Sequence, residues 1–293
     1  MLSEVYNLPY RQTEGFVREI IAKMNKQDEI VVPTFSVLTK RGKHLAMDDL
    51  LQNIGCMKDC GEKINIILDG TGIKIMNNHE WNRYKHGKKN NNKANTKKAK
   101  QGGVVRMSKK KSSCKKQRKP WLKAHIAIDR DTRQVLAFAL TDKSIHDGEA
   151  FPAILKEAKR LGTKIEKCYG DGAYHWHSIF DMLEANNIEP RIPLPKNAVI
   201  SGEHTEDPQM ITKARDKALL KQHDCGGTEM WKKETDYHQR SLIENCFSRL
   251  KGIFTEKLRY TLDEIRALRL NLRLSILNKF AAMAPPKYNE PTI

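Results

Sequence analysis

The chain has 293 residues, of which 39% are hydrophobic and 30% are charged, so it can bury a core beneath a very polar surface. Its formal net charge of +18 favours polyanionic partners, because basic proteins gain affinity when condensed counterions are released. It has no apolar run long enough for a membrane span and no secretory leader, which argues against membrane and secreted classes. With six irregularly spaced cysteines, we expect a cytoplasmic protein with free thiols.

The positive charge is concentrated in one segment. Between Lys85 and Lys123 there are 16 lysine or arginine residues and no acidic residue, and removing these 16 charges from +18 leaves only +2. The segment has almost no large apolar side chains, so burial cannot offset the entropy of ordering it. We therefore predict a mobile basic loop within a chain that is otherwise close to neutral.

Two short helices are predicted near the N-terminus. Apolar residues recur at helical spacing over 12–25, and Thr34 is placed to cap a second helix that carries Lys40 and Arg41. Two short helices with basic residues on the second are typical of a DNA-binding unit. The same pattern equally fits a small helical unit that only braces a larger domain.

The rest of the chain alternates predicted strands and helices. In chain order these are a strand over 64–69 that Gly70 and Gly72 interrupt, hairpin strands over 125–128 and 135–140, a helix over 151–158, a strand over 165–169, a helix over 179–183, a strand over 188–194, and helices over 237–251 and 262–283. The polar stretch 195–235 shows no clear pattern. This order predicts an α/β fold with a mixed sheet flanked by helices.

Acidic residues follow two of the predicted strands. Asp69 ends the strand over 64–69, and Asp171 follows the strand over 165–169 between two glycines. Ligand-binding residues gather at strand ends in such sheets, because the sheet fixes their position and the loop leaves room. Each aspartate alone is also well explained as the cap of a turn beside a glycine.

A third acid lies on the helix predicted over 237–251. At roughly 100° per residue, four polar side chains of this helix fall within about a 60° arc: Tyr237, Arg240, Glu244 and Lys251. A solvated Arg–Glu pair would explain part of the pattern. It would not explain why apolar Ile243 and Phe247 flank the acid. Three carboxylates on separate elements suit Mg²⁺ or Mn²⁺.

Several motifs together resemble bacterial insertion-sequence transposases of the Asp-Asp-Glu class, in the branch whose third acid lies in a Tyr, Arg, Glu, Lys helix signature. In the family's order they are Leu8-Pro9-Tyr10-Arg11-Gln12-Thr13-Glu14-Gly15, Leu68-Asp69-Gly70-Thr71-Gly72-Ile73-Lys74, Trp81-Asn82 with Lys85-His86-Gly87, Trp121-Leu122-Lys123-Ala124-His125, Gly170-Asp171-Gly172-Ala173-Tyr174, and Tyr237 through Lys251. Each motif alone is weak, but their number and order make the resemblance specific.

The resemblance implies a ribonuclease-H-like fold and a role for each matching residue. Asp69, Asp171 and Glu244 would be the catalytic acids and would bind two Mg²⁺ (or Mn²⁺) ions, while Tyr237, Arg240 and Lys251 would contact DNA. The reaction would be hydrolysis at the element's ends, followed by attack of the freed 3′-hydroxyl on target DNA. The partner would be double-stranded DNA in the nucleoid, bound by a homodimer or larger assembly, with no membrane and no small-molecule substrate.

The resemblance also implies a domain plan. We expect an N-terminal helical region over 1–60, a catalytic domain over 61–258 and a C-terminal helix and tail over 259–293. Because Met1 stands close to the first motif, we expect part of the end-binding region to be missing.

A basic insertion over 85–120 stands where the family has a short link. It is either a non-specific DNA grip or a tolerated degenerate insert. If it is a grip, its contacts would be Lys109, Lys110, Lys111, Lys115, Lys116 and Arg118.

Three rival functions remain. A metal-dependent nuclease that hydrolyses without joining would use the same acids. A truncated, catalytically inactive remnant could act as a DNA-binding regulator, which the short N-terminus and the basic segment would suit. The hypothesis of an RNA-binding protein rests on charge alone, since no aromatic-rich recognition strand is visible in the sequence.

Overall fold

The computed structural model describes residues 1–42, 63–75, 121–162, 164–201, 213–258 and 263–283. In chain order its elements are α1 (Leu2–Val5), α2 (Tyr10–Lys23), α3 (Phe35–Arg41), β1 (Lys63–Lys74), β2 (Trp121–Asp129), β3 (Val135–Asp142), α4 (Asp147–Lys159), β4 (Lys164–Tyr169), α5 (His177–Ala185), β5 (Glu189–Arg191), α6 (Ala214–Asp224), α7 (Thr228–Glu234), α8 (Leu242–Phe254) and α9 (Asp263–Met283), with short 3₁₀ helices at Gly172–Tyr174 and Tyr237–Ser241. The segment predicted to be a mobile basic loop lies outside the described residues.

The five strands form one mixed sheet in the order β3-β2-β1-β4-β5. The predicted hairpin of β2 and β3 is present, and β2 pairs antiparallel with β1. On the other side of β1, β4 pairs parallel with it and β5 parallel with β4. The structure therefore confirms an α/β fold of the ribonuclease-H-like type, with a mixed sheet flanked by helices.

Helices cover both faces of the sheet. Because side chains alternate along a strand, β1 sends Ile66 and Leu68 into a core with α4, α5 and α6, and Ile67 into a second core with α8 and α9. The same alternation places Asp69 on the side of α8 and α9. Gly70 faces the opposite side, towards the start of α4.

The prediction that Gly70 and Gly72 interrupt the first strand was wrong. β1 runs without a break, and these glycines pair with His125 and Lys123 of β2. Gly70 instead marks a close approach, since a Cβ there would collide with the carboxylate of Asp147 and lie 2.9 Å from Lys123 Cε. A glycine inside a strand often has this cause.

Three other predictions need correction. The strand predicted over 188–194 is limited to Glu189–Arg191, and the helix predicted over 237–251 begins as a 3₁₀ helix before α8. The stretch 195–235 contains α6 and α7. No apolar periodicity marked α6, because its buried residues include polar Arg215, Asp216 and Gln222. Gln222 bonds both the N–H and the carbonyl of Leu194, at 3.0 and 3.2 Å.

The two N-terminal helices were predicted close to their observed positions. Thr34 is the residue before α3, as expected, but its side chain makes no capping bond. The cap comes from α2, where Glu14 Oε2 accepts the Phe35 N–H at 2.6 Å. A contact between the helices thus replaces the local cap and fixes their relative position.

Polar side chains dock α9 onto the rest of the molecule. Asn278 accepts from the Val135 N–H at 2.7 Å and donates to the Val135 carbonyl at 2.8 Å, at the start of β3. Buried Glu4 of α1 accepts from Arg269 Nη1 at 3.0 Å and from Arg273 Nε at 2.8 Å. None of the described helices, α9 included, combines the length and the apolar character that crossing a membrane requires.

Replacing Glu4 with glutamine should strongly destabilise the fold. The substitution would leave two buried guanidinium groups without their carboxylate, and removing one partner of a buried ion pair typically costs about 3–5 kcal/mol. Urea unfolding measures the change. Glu19→Gln on the exposed face of α2 is the control, and a loss no larger than that control's would show that the ion pair contributes little.

Candidate active site

The sheet register places the two predicted aspartates side by side. In the parallel pairing of β1 and β4, Ile67 lies opposite Tyr169, and Asp69 and Asp171 each follow two residues later. Glu244 lies in the first turn of α8, which packs on the same face of the sheet as Asp69. Three separate elements thus each contribute one acid to the region beyond the end of β4.

Arg240 links two of these acids directly. Its Nη1 donates to Asp69 Oδ2 at 2.9 Å, and its Nη2 donates to Glu244 Oε1 at 3.0 Å. The side chain of Asp69 is 19% exposed and that of Glu244 is 60% exposed, so the fork joins a fixed acid to one that can reorient. The predicted Arg–Glu pair is therefore present, with Asp69 as an added partner.

The net effect of the surroundings of Asp69 is to disfavour the ionised form of its carboxyl. Burial raises the pKa of its carboxyl, while the Gly70 N–H, 2.7 Å from Oδ1, and the charge of Arg240 act in the opposite direction. The charges of Asp171 and Asp147 raise the pKa further, and the net shift is upwards. A cation beside Asp69 would stabilise its ionised carboxylate and so offset the effect of burial.

Asp171 combines a structural role with its place beside Asp69. Its Oδ1 accepts the Ala173 N–H at 2.9 Å and so caps the short helix Gly172–Tyr174, as the turn-capping interpretation predicts. The loop after this helix is fixed by Arg215, whose Nε donates to the His175 carbonyl at 3.1 Å. The cap orients the Asp171 carboxylate without hiding it, since the side chain is only half-buried.

The remaining residues of the Tyr, Arg, Glu, Lys signature lie at different distances from the acids. Tyr237 donates to the Gly170 carbonyl at 3.3 Å, next to Asp171, and burial raises the pKa of its phenol to about 12, so it stays a donor. Tyr237 and Arg240 lie in a 3₁₀ helix before α8, so the predicted single α-helical face is not formed. Lys251 lies two turns beyond Glu244, about 10 Å along the axis at 1.5 Å per residue.

A second polar cluster, on the other face of the sheet, was not predicted. Asp147 Oδ1 lies 2.8 Å from His125 Nδ1, and Asp147 Oδ2 accepts from Lys123 Nζ at 2.7 Å. Burial alone would raise the pKa of Asp147, but these two hydrogen bonds hold it below its usual value. His125 is fully buried, and its Nε2 lies 2.8 Å from Thr141 Oγ1. Gly70 inside a buried strand was the available signal of this close contact.

The six predicted DNA contacts of the basic segment, Lys109, Lys110, Lys111, Lys115, Lys116 and Arg118, lie outside the described residues.

The acids fit a hard divalent cation, although they do not surround a preformed site. Among the described residues, no three His, Cys, Asp or Glu side chains are gathered closely enough to hold a metal ion. The guanidinium of Arg240 stands between Asp69 and Glu244 and supplies the positive charge there. Carboxylate oxygens are the ligands that Mg²⁺ prefers, and the exposed Glu244 is free to turn towards an ion.

Two family models match the chain, and both are described as Transposase DDE domain. One matches residues 61–279 and the other residues 1–78. The first covers more than half of the chain, and its range includes all five strands, α8 and the three acids. The second covers α1 to α3 and continues into the segment after β1. The chain therefore belongs to the DDE transposase family.

Proposed function

We propose that this transposase cleaves DNA at the ends of an insertion sequence and joins the freed 3′-hydroxyl to target DNA. The observation that carries the proposal is the Arg240 fork, which ties Asp69 of the sheet to Glu244 of α8 beside Asp171. Acids from three elements with an arginine between them form a site for cations and phosphate, the two groups that phosphoryl transfer requires.

In this proposal Asp69, Asp171 and Glu244 hold two Mg²⁺ or Mn²⁺ ions. When bound, such a pair of ions activates the attacking oxygen and stabilises the leaving oxygen of an in-line displacement. Two of the acids are already oriented without metal, because Asp69 accepts a hydrogen bond from the Gly70 N–H and Asp171 accepts one from the Ala173 N–H. Glu244 is the adjustable third ligand, since its side chain is mostly exposed.

The cationic residues of the signature are proposed to hold the DNA backbone. A guanidinium binds a phosphate through two parallel hydrogen bonds, as it binds carboxylates. If Asp69 and Glu244 held cations, Arg240 would no longer be needed to neutralise them and could bind a phosphate instead. Lys251 would contact the DNA backbone further along α8. Tyr237, whose hydroxyl donates to the Gly170 carbonyl next to Asp171, would contact the same DNA.

The partners follow from this chemistry. The substrate is double-stranded DNA of the element ends and of the target, in the nucleoid. Because two ends must be joined to one target, we propose a homodimer or larger assembly on DNA. The inactive-remnant alternative is not favoured, since all three acids are present in the sequence and Arg240 links two of them. A nuclease that only hydrolyses differs from this proposal in its products alone.

Replacing Glu244 with glutamine should abolish cleavage and leave DNA binding intact. The amide is a poor ligand for a hard cation, so the loss should exceed the ~10–100-fold that removal of an outer-shell partner costs. Labelled DNA carrying the terminal repeats that flank this gene, incubated with Mg²⁺ or Mn²⁺, reports cutting and joining, and a gel-shift assay reports binding.

The matched control is Glu264→Gln, the same change in the first turn of α9. Cleavage at the wild-type rate by the Glu244 variant would refute the assignment of the three acids. Cut but unjoined ends from the wild-type protein would instead favour the nuclease. Binding without any chemistry in the wild-type protein would favour the regulator.

Replacing the five lysines between positions 109 and 116 with glutamine should flatten the salt dependence of DNA binding. Each phosphate contact contributes about 0.9 to the slope of log K against log salt concentration. Titrations at several salt concentrations give the slope for the wild-type protein and the variant. An unchanged slope would show that this segment does not touch DNA.

A further inference from the structure

The N-terminal helices carry most of the exposed apolar side chains. In the part of the chain that the structure describes, fourteen large hydrophobic side chains are exposed, and ten of them lie within the first 37 residues. Single exposed apolar residues are normal in a monomer, but a concentration of them marks a surface that another molecule covers. The first three helices therefore contain a candidate interaction surface away from the acids.

Four of these side chains form one continuous stripe along α2. Phe16, Ile20 and Met24 follow each other at intervals of four residues, so they lie along one side of the helix and its C-terminal cap. The ring of Tyr6, just after α1, meets that of Phe16 with centroids 5.3 Å apart and extends the stripe. Tyr6 and Met24, at the two ends, are each 56% exposed. From Phe16 to Met24 this α2 stripe runs about 12 Å at 1.5 Å per residue.

The charge of this region does not favour DNA as the partner of the α2 stripe. Residues 1–42 contain six lysine or arginine residues and five acidic residues, although the whole chain carries +18. Two of the arginines are engaged within the region, since Arg18 donates to Glu14 at 2.9 Å and Arg11 lies 4.5 Å from the ring centroid of Phe35. Binding to the DNA backbone requires several cations that can reach phosphates, so a protein surface is the better partner.

Two opposite charges lie along one flank of the α2 stripe. Glu19 and Lys23 are both exposed, and at 100° per residue they are rotated by roughly 60° and 20° from Phe16, away from Ile20. Neither has an ion-pair partner within the described ranges of the chain. The other flank leads to Ile21, which the protein itself buries. A second molecule can therefore approach the stripe only from the charged flank.

We propose that the α2 stripe is the contact between two copies of this chain, whose α2 helices lie antiparallel about a two-fold axis at Ile20. Phe16 then lies opposite the partner subunit's Met24. An antiparallel two-fold pair sets the same flank of each helix against the other, so Glu19 lies two residues, or about 3 Å along the axis, from the level of the partner subunit's Lys23. The two-fold axis repeats this pair of opposite charges. A parallel pair would set the charged flank against the buried one.

The inference rests on the proposed function, because joining two element ends to one target requires two copies. A single pair of helices with the neighbouring Tyr6 buries less than the about 1,600 Å² of a typical stable interface. The dimer is therefore expected to be reversible and to have a micromolar Kd without DNA. DNA that holds both copies would favour the same contact by raising their effective concentration.

Sedimentation velocity of the full-length protein without DNA measures this association. The wild type should pass from monomer to dimer as its concentration rises. Glu19→Lys should raise the dissociation constant about 10-fold or more, because it sets like charges opposite each other twice in the dimer. Lys23→Glu should do the same. The double variant Glu19→Lys/Lys23→Glu restores opposite charges and should recover the association of the wild type, which a loss of folding would not allow.

The matched control is Asp181→Lys, a reversal of charge on the exposed side of α5, which should associate like the wild type. Oxidation of cysteine variants tests the orientation, with the wild type alongside because it has cysteines of its own. Ile20→Cys should form a disulfide between copies at the two-fold axis. Met24→Cys should not, since its two sites lie about 12 Å apart along the axis and a disulfide needs Cα atoms within about 7 Å.

Several results would overturn the inference while leaving the proposed function intact. A wild-type protein that stays monomeric at every concentration would do so, as would a dimer that Glu19→Lys leaves unchanged, which would show that the copies meet elsewhere. Equal cross-linking of Ile20→Cys and Met24→Cys would refute the antiparallel arrangement. Weaker DNA binding by Lys23→Glu with unchanged association would make these helices a DNA contact instead. Failure of the wild type to cleave DNA would refute the proposed function alone, because association is measured without DNA.

Discussion

The parallel pairing of β1 with β4 is the constraint on which the rest of the site depends. It sets Asp69 and Asp171 at the same level of the sheet, although about a hundred residues separate them in the chain. Both strands are buried on both faces, so a shift of one residue would turn each side chain to the wrong core. The two cores therefore fix the register that brings the two acids to this level of the sheet.

That fixed geometry carries an electrostatic cost, and the structure balances it with residues from both faces. Asp69 is partly desolvated and lies near two other carboxylates. Arg240 neutralises it from the α8 side, while on the α4 side Lys123 neutralises Asp147 and His125 is hydrogen-bonded to it. Such balanced groups of charge occur at functional sites because the same crowding that costs stability creates affinity for a cation.

The sequence allowed the strands and helices to be predicted more completely than the contacts between distant residues. The strand that carries Asp69, the strand that precedes Asp171 and the helix of Glu244 stood out by their apolar residues, because those residues form the two cores. The Arg240–Asp69 contact joins residues 171 positions apart, so no local pattern could contain it. The close approach of Gly70 to Asp147 likewise depends on neighbours brought together by the fold. α6 was missed for a related reason, since its inner side is polar and hydrogen-bonded rather than apolar.

The buried pair of guanidinium groups on α9 has a consequence for how the chain is made. Glu4 contacts Arg269 and Arg273 across separations of 265 and 269 residues. During synthesis from the N-terminus, the Glu4 carboxylate has neither of these guanidinium partners until α9 has been translated, and long-range contacts of this kind slow folding. The sheet and its acids can therefore assemble before Glu4 reaches its buried position against α9.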